Sequence, residues 1–359
     1  MEIVRVMDRV ALAALYRLDP ERAHHAALWA LEHGLAGRST EPNDPILATQ
    51  VFGLSFPNPI GLAAGFDKDA RVTGAMLALG YGFVEAGTVT PKPQLGNPKP
   101  RLFRLTQDKA IINRLGFNSR GVKAFAERLK RRARSRGIVG ANVGKNRDTV
   151  DGAADYVIGI ERLAALADYL VVNISSPNTP GLRALQARKP IEDLLTRALA
   201  ARNKAIPAGA RAPLLVKVGP DLDAGEMRDV AEVALATGVD GLIVGNTTVA
   251  RPPNLKSAQA QEAGGLSGLP LMRPSTLCLA EMYRLTKGKI PLIGCGGVAS
   301  GADAYAKIRA GASLVEIYSA LVFEGPRLAT HVKKELAACL RADGFASVAA
   351  AVGADHNSK

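Results

Sequence analysis

Short apolar runs that end in small or polar residues alternate eight times along the chain with amphipathic helical stretches. The runs predict strands at Ile60–Ala64, Phe83–Thr88, Ile138–Val143, Tyr169–Ser175, Leu214–Val218, Gly241–Asn246, Pro291–Gly296 and Leu314–Tyr318. The predicted helices are Asp69–Leu79, Gly121–Arg134, Ala153–Ala167, Ile191–Lys204, Ala224–Thr237, Leu271–Thr286, Gly301–Ala310 and Arg327–Arg341. Apolar strands that alternate with helices form parallel sheets, and eight such units favour a closed barrel. We therefore predict an α/β fold, a (β/α)8 TIM barrel.

Two further segments flank the predicted barrel. Residues 1–40 predict two helices separated near Leu18, because Asp19 can cap a helix and Pro20 suits its first position. Ser39–Pro45 is interpreted as a linker on its Pro, Asn and Asp content. The expected organisation is a small N-terminal helical extension (1–40), a barrel domain (46–342) and a flexible tail (343–359).

The chain is strongly basic, with a formal net charge of +13 and a pI near 9.8. Such charge suits either nucleic acid or an anionic membrane surface. The densest basic run, Arg128–Arg136, is typical of the solvated C-terminal end of a helix, where the helix dipole favours cations.

Cys278, Cys295 and Cys339 lack the spacing of a metal or disulfide framework, so no metal is predicted and a reducing compartment fits best. Charges interrupt the apolar N-terminal segment, which predicts neither a membrane-spanning helix nor a signal peptide.

In such barrels the active site forms from the loops that follow the strands. Glycines after the seventh strand and backbone amides after the eighth predict a phosphate site at Gly296, Gly297, Tyr318 and Ser319. After the first strand, GLAAGFDKDA allows a flat ligand to approach the backbone; its lysine, Lys68, either meets an anion or lies on the surface of a tight turn. No GxGxxG motif follows an early strand, which disfavours NAD as the cofactor.

Lys217 stands inside an otherwise apolar fifth strand. A buried lysine is costly unless it meets an anion or an electron-rich ring. It could form a Schiff base or stabilise negative charge on a reduced flavin, and the residues alone leave both readings open.

The loop after the fourth strand, VVNISSPNTPGL, is rich in amides and hydroxyls. Asparagine can donate to a carboxylate and also pair with an amide edge of a ring, so a small planar ligand with both groups is favoured. Ser176 has no GxSxG elbow, and none of the five histidines stands beside a strand end. A nucleophilic hydrolase is therefore disfavoured.

The segments GLAAGFDKDA, EAGTVTPKPQLGNPKPRLFRL, NRLGFNS, VNISSPNTPGL, KVGPDL, GNTT, GGLSG and GCGGV together resemble, in this order, the motifs of the dihydroorotate dehydrogenase family. The similarity runs from LDPERAHH, which starts at Leu18, through LVEIYSAL, which ends at Leu321. It implies oxidation of (S)-dihydroorotate to orotate in pyrimidine (UMP) biosynthesis. In this family a base removes the C5 proton, and the C6 hydride passes to an FMN.

The resemblance also implies a site. FMN is expected at Ala64, Thr88, Asn142, Asn173, Lys217, Gly245, Gly268, Gly297, Tyr318 and Ser319. Dihydroorotate is expected at Lys68, Asn113, Arg114, Leu115, Gly116, Phe117, Asn173, Asn178, Asn246 and Thr247. Some relatives carry Thr where Gly245 stands, so only a backbone contact is expected there.

The position of the catalytic base carries a serine, Ser176, which is similar to the quinone-reducing, membrane-associated class 2; the soluble class uses cysteine. A serine hydroxyl is a poor base without an imidazole, so its proton must leave through a relay, for which Thr179 is the candidate. The implied acceptor is a membrane quinone.

The N-terminal helices resemble the quinone-docking hairpin of this class, and an apolar face with basic charge suits an anionic bilayer. His24 and Arg22 either face the quinone head group or are polar residues of the helix surface. We expect a peripheral protein on the cytoplasmic side of a bacterial membrane, with no nucleic-acid partner and no obligate protein partner.

Two other interpretations compete with this one. A dihydrouridine synthase would explain the charge, but it uses a cysteine at the position of Ser176 and adds an RNA-binding domain. A non-catalytic barrel would not need to keep Lys68, Ser176 and Lys217 together.

Overall fold

The computed structural model describes residues 10–133, 137–179, 181–206 and 212–356. Eight parallel strands close into a barrel in which each strand pairs with the next one along the chain. They span Ile60–Leu62 (β3), Phe83–Val89 (β4), Ile138–Val143 (β7), Tyr169–Asn173 (β8), Leu214–Val218 (β9), Gly241–Val244 (β10), Leu292–Cys295 (β12) and Ala312–Ile317 (β13). Strand β13 pairs with β3 to complete the ring. The predicted (β/α)8 fold is confirmed.

The helices outside the barrel protect the outer faces of its strands. They are Thr73–Ala78 (α3), Val122–Lys130 (α4), Gly152–Leu163 (α5), Arg188–Ala205 (α6), Ala224–Thr237 (α7), Met272–Thr286 (α8), Gly301–Arg309 (α9), Ser319–Glu324 (α10) and Leu328–Ala342 (α11). Two begin with a reciprocal capping box, in which Asp223 pairs with Glu226 and Ser300 pairs with Asp303. Such caps satisfy the free N–H groups of the first turn, which explains why these two starts were readable from sequence.

A hairpin formed by Thr49–Val51 (β1) and Leu54–Phe56 (β2) precedes the barrel. Its Phe56 packs edge-on against Phe83 with ring centroids 5.4 Å apart, and Phe83 contacts Tyr169 inside the barrel. These large rings fill the N-terminal end of the barrel. The site must therefore open at the opposite end, where the strands finish.

A second small sheet was not predicted from sequence. It contains Leu102–Leu105 (β5), Ala110–Asn113 (β6) and Gly265–Gly268 (β11), with β6 in the centre and both pairings antiparallel. Strand β11 comes from the excursion after β10, so the pairing joins segments about 150 residues apart. Asn113 and Gly268 both reach the cavity at the barrel mouth from this sheet.

Two helices precede the barrel at the predicted place. Helix α1 is described over residues 10–16, and α2 spans Pro20–Glu32. Asp19 caps α2 by accepting hydrogen bonds from the backbone N–H groups of Glu21 and Arg22, and Pro20 is the first helical residue. Because both roles are local, the sequence was sufficient to place this break.

The basic run is only partly a solvated helix end. Arg128 and Lys130 lie in the last turn of α4, as the helix-end interpretation expects. Arg132, however, is 6% exposed and donates to Asp168 at 2.7 Å, so its charge is paired inside the structure. Residues 134–136 of the run lie outside the described residues.

The expectation of a flexible C-terminal tail was wrong for residues 343–356. Helix α12 (Val348–Ala351) buries Val348 and Ala351 completely, and the His356 ring lies 4.8 Å from that of Tyr283. Apolar burial and stacking order this segment, although its small residues suggested otherwise. Residues 357–359 lie outside the described part.

Among the described helices, none is long and apolar enough to span a membrane.

Candidate functional site

A buried lysine and two carboxylates stand together at the centre of the barrel. The Lys217 Nζ donates to Glu85 Oε1 at 3.0 Å and to Glu316 Oε2 at 2.8 Å, and the side chains are at most 4% exposed. Sequence reasoning singled out Lys217 but missed both acids. The same signal was available for them, because each is an acidic residue inside an apolar strand.

The charge state of Lys217 follows from this arrangement. Burial alone lowers the pKa of Lys217, but the carboxylates of Glu316 and Glu85 raise it above its usual value. Burial and the neighbouring Glu85 raise the pKa of Glu316. A lysine held as a cation is not a nucleophile, which favours charge stabilisation over a Schiff base.

A chain of amides and hydroxyls extends from this charge cluster to the barrel mouth. Asn142 donates to Glu85 Oε1 at 2.8 Å and accepts from the Thr88 hydroxyl at 2.6 Å. Asn173 donates to Thr88 at 2.8 Å and accepts from the Ser175 hydroxyl at 2.6 Å. These bonds fix the orientation of each amide, so the site is rigid before any ligand binds.

Ser176 lies at the edge of the cavity, 7% exposed, and its Oγ accepts a hydrogen bond from the Asn178 backbone N–H at 3.2 Å. Thr179, three residues on, buries its hydroxyl with no hydrogen-bond partner among the described residues. A buried hydroxyl without a partner is costly, so it is a natural place for a bound water or a mobile proton. Ser176 therefore presents a hydroxyl group to the cavity, and Thr179 stands three residues further along the same loop.

Polar groups from three other loops face the same space. Lys68 donates to the Asn118 side chain at 2.6 Å, and burial together with the nearby Arg101 lowers the pKa of Lys68 to about 8. Asn178 donates to the Asn113 carbonyl oxygen at 3.0 Å. Asn246 donates to the Ser175 hydroxyl at 2.5 Å, and the buried Thr247 hydroxyl lacks a partner among the described residues. A partly buried cation and several amides suit a small anionic ligand.

Two glycines form a close backbone cradle at the predicted phosphate site. Gly297 has φ of +80°, and a Cβ there would lie 2.3 Å from the backbone of Met272. Gly268 has φ of +95°, and a Cβ would lie 2.3 Å from the Lys109 carbonyl oxygen. Ser319, the first residue of α10, donates its hydroxyl to that of Ser267 at 2.7 Å, next to Gly268. Only glycine combines this backbone with this spacing, which is the arrangement that backbone recognition of a phosphate needs.

One continuous cavity of about 600 Å³ joins these groups to the N-terminal helices. Its polar end contains Lys217, Ser176 and Asn246. Its other end is apolar and is lined by Leu12, Leu15, Ala23, Ala27, Leu31 and Leu35 from the N-terminal segment, and by Phe66, Val322 and Phe323 from the barrel.

His24 lies in the lining of the apolar end, with its ring 5.2 Å from that of Phe66. Burial, followed by the charge of Lys68, lowers the pKa of His24 to about 4, so it is neutral at pH 7. Arg22 is exposed and is not among the lining residues. Of the two open candidates, only His24 faces the cavity.

Most of the predicted site residues line the cavity: Ala64, Lys68, Thr88, Asn113, Leu115, Gly116, Phe117, Asn173, Ser176, Asn178, Lys217, Asn246, Thr247, Gly268, Gly297, Tyr318 and Ser319. Three others do not. Asn142 lies beneath the mouth in the amide network, and at Gly245 a Cβ would lie 2.1 Å from the Cys295 carbonyl oxygen. Arg114 instead donates to Glu262 at 2.8 Å and lies over the Phe103 ring.

Comparisons with known proteins agree on one family. The family model described as dihydroorotate dehydrogenase matches residues 46–340. The chain is 61% identical to the dihydroorotate dehydrogenase (quinone) of Rhodospirillum rubrum over 97% of this chain and 94% of that protein. It is 51% identical to the mitochondrial dihydroorotate dehydrogenase (quinone) of Arabidopsis thaliana over 94% of this chain and 79% of that protein. The crystal structure of the Eimeria tenella enzyme in complex with ferulenol superposes with a TM-score of 0.92 at 44% identity, covering 96% of this chain and 99% of that one.

Proposed function

Because the chain belongs to the dihydroorotate dehydrogenase family, we propose that it oxidises (S)-dihydroorotate to orotate and transfers the electrons through FMN to a membrane quinone. This step belongs to de novo pyrimidine (UMP) biosynthesis. The observation that carries the proposal is that one continuous cavity joins a polar end with Ser176 and Lys217 to an apolar end beneath α1 and α2. A polar substrate and an apolar acceptor can thus reach one cofactor from different sides.

The family is flavin-dependent, and the residues at the barrel mouth fit FMN. The cradle at Gly268 and Gly297, with Ser319 beside Gly268, suits its phosphate, and the amide network at Thr88 and Asn173 suits the edge of its ring. A bound FMN would supply the hydride acceptor for dihydroorotate and the electron donor for the quinone. Ala64, Asn142, Gly245 and Tyr318 complete the proposed set. The fixed positive charge of Lys217 favours an electron-rich ring beside it.

The substrate is held, in this proposal, by the cation and amides that face the cavity. Lys68 attracts the carboxylate of dihydroorotate, while Asn113, Asn178 and Asn246 bond to its carboxylate and amide edges. Asn173 and Thr247 lie beside them, and Arg114, Leu115, Gly116 and Phe117 belong to the covering loop. Positioning of this kind converts a slow encounter into a reaction between fixed partners.

Ser176 is proposed to accept the C5 proton of dihydroorotate as its own hydroxyl proton passes to Thr179 and on to water. No imidazole assists it, since the one histidine in the described cavity lining, His24, stands at the apolar end. The neutral Ser176 hydroxyl must therefore give up its own proton at the same time as it accepts the C5 proton. The onward path through Thr179 is thus part of the reaction itself.

The apolar end is proposed to admit the quinone and to lie against an anionic membrane surface. Several large apolar side chains of the N-terminal segment are exposed, among them Val10 at 64%, Trp29 at 53% and Leu35 at 66%. Exposed apolar residues beside a basic surface suit peripheral binding to a bilayer. We propose the cytoplasmic face of a bacterial membrane, without a nucleic-acid or an obligate protein partner.

Anaerobic titration tests the proposal. Dihydroorotate should bleach the flavin absorbance of the purified protein near ~450 nm, and a quinone, but not fumarate or NAD⁺, should restore it. A yellow protein that dihydroorotate cannot bleach would refute the substrate. Reoxidation by fumarate or NAD⁺ would refute the acceptor, and a protein that binds no flavin would refute the activity altogether.

A further inference from the structure

Lys307 is a second buried lysine, and the proposed chemistry does not use it. It stands on α9 with no exposed surface, and its Nζ donates to the Ser275 hydroxyl at 2.6 Å. Among the described residues no carboxylate oxygen lies within 4 Å of it. Burial lowers the pKa of Lys307 to about 8, so it still carries a proton for most of the time at pH 7. A buried cation bonded only to a hydroxyl is costly and calls for an anion nearby.

The partner of Lys307 leads directly to the glycine cradle. Ser275 Oγ also lies 2.9 Å from the Gly296 carbonyl oxygen and 2.7 Å from that of Leu271. Gly296 precedes Gly297, where a Cβ would lie 2.3 Å from the backbone of Met272 at the start of α8. The ammonium group therefore lies directly behind the loop that is proposed to bind the phosphate, separated from it by one serine side chain.

We propose that Lys307, acting through Ser275, is a positioning residue that stabilises the phosphate of FMN from behind the glycine loop. The inference rests on the proposed function, because it assumes that a phosphate monoester occupies this loop. A dianion would supply the missing counter-charge, and the Ser275 bridge would hold the Gly296 carbonyl oxygen out of the phosphate site. The lysine need not touch the phosphate, since charges act across several ångströms in a protein interior.

The test compares two flavins that differ only in the phosphate. Apoprotein is titrated with FMN and with riboflavin, and binding is followed by flavin fluorescence. Lys307→Met should weaken FMN binding by about 10- to 100-fold, the effect of a nearby charge at intermediate dielectric, and leave riboflavin binding unchanged. Ser275→Ala, which keeps the charge but removes the bridge, should weaken FMN binding less and riboflavin binding not at all.

Lys333→Met is the matched control. Lys333 is also a buried lysine, 4% exposed, and bonds to a neutral partner, Asn43, at 2.8 Å, but it lies outside the cavity lining. Its loss should not change the ratio of FMN to riboflavin affinity.

Equal weakening of both flavins by Lys307→Met, or unchanged FMN binding, would overturn the role of Lys307. If Lys307→Met does not fold, Ser275→Ala decides in the same way: a loss specific to FMN supports the proposal, and an equal loss of both flavins overturns it. Wild-type protein that binds FMN no better than riboflavin would also overturn it, while leaving the oxidation of dihydroorotate intact. Wild-type protein that binds neither flavin would instead refute the proposed function, so the two failures are distinguishable.

Discussion

Glu21→Gln should release helix α2 from the barrel. The carboxylate of Glu21 forms a bidentate ion pair with Arg101, with oxygen–nitrogen distances of 2.7 and 3.2 Å, and both side chains are less than 10% exposed. Arg101 also donates to the carbonyl oxygens of Leu95 and Asn97 in the loop before β5. The pair is therefore a buried polar contact between helix α2 and the loop before β5.

The magnitude follows from removing one charge of a buried pair, which costs about 3–5 kcal/mol. Because Arg101 keeps two carbonyl acceptors, the lower value of about 3 kcal/mol is expected, and at 1.36 kcal/mol per tenfold it corresponds to about a 150-fold rise in the undocked population. Glu32→Gln is the matched control. It breaks the ion pair between Glu32, on the same helix, and Arg71. Their side chains are 30% and 21% exposed, respectively, and ion pairs this exposed contribute about 0–1 kcal/mol to stability.

Limited trypsin digestion measures the undocked population. Arg22 lies inside α2, so cleavage there requires the helix to open, and its rate tracks the open population when closing is fast. The cleavage rate should rise about 150-fold in Glu21→Gln and less than about 5-fold in Glu32→Gln. Quinone-dependent turnover should fall in Glu21→Gln more than flavin reduction by dihydroorotate does. Equal cleavage rates in the two variants would refute the assignment of the docking energy to the buried pair.

Acidification should have the same effect as the substitution. Burial raises the pKa of Glu21, but the hydrogen bond and charge of Arg101, together with Lys99, outweigh it, so the folded-state pKa lies below its usual value. A carboxyl group with a lowered pKa contributes stability above its unfolded pKa, about 4.3. That stability is lost as the pH falls through the folded pKa. Loss of amide hydrogen-exchange protection in α2, corrected for the intrinsic exchange rate at each pH, should therefore begin only below about pH 4.3, and a loss centred near neutral pH would point to another group.

Three further substitutions test the site. Ser176→Ala should retain flavin yet slow its reduction by dihydroorotate about 10²- to 10⁴-fold in anaerobic stopped-flow measurements, since it removes a general base; an unchanged rate would refute that role. Gly297→Ala should yield protein without bound flavin, as judged by absorbance, because the new Cβ would lie 2.3 Å from the Met272 backbone; normal flavin content would contradict the cradle. Lys217→Met should lower the free energy of unfolding of the apoprotein by about 3–5 kcal/mol in urea denaturation, because two buried carboxylates lose their cation. A smaller loss would mean that the acids are already neutral.

Local patterns predicted the barrel well. Strands β7 and β9 and helix α7 have the predicted bounds, Ile138–Val143, Leu214–Val218 and Ala224–Thr237. Each is an apolar run or an amphipathic stretch bounded by turn or capping residues, and these signals act over a few positions. The break before Pro20 was predictable for the same reason. The polar residues at the strand ends were equally readable, because a parallel barrel gathers all strand ends at one mouth.

The features that only the tertiary structure decided depend on contacts between segments that are distant in the sequence. Lys217 meets Glu85 and Glu316 across separations of 132 and 99 residues, so its charge state could not be read from its own strand. The tail seemed flexible because its small residues show no local pattern, yet it is ordered by burial of Val348 against the barrel helices. The sequence by itself determined the eight strands of the barrel, the motifs and the family. Tertiary packing decided which charges face each other, because pairing energy depends on distance and burial rather than on position along the chain.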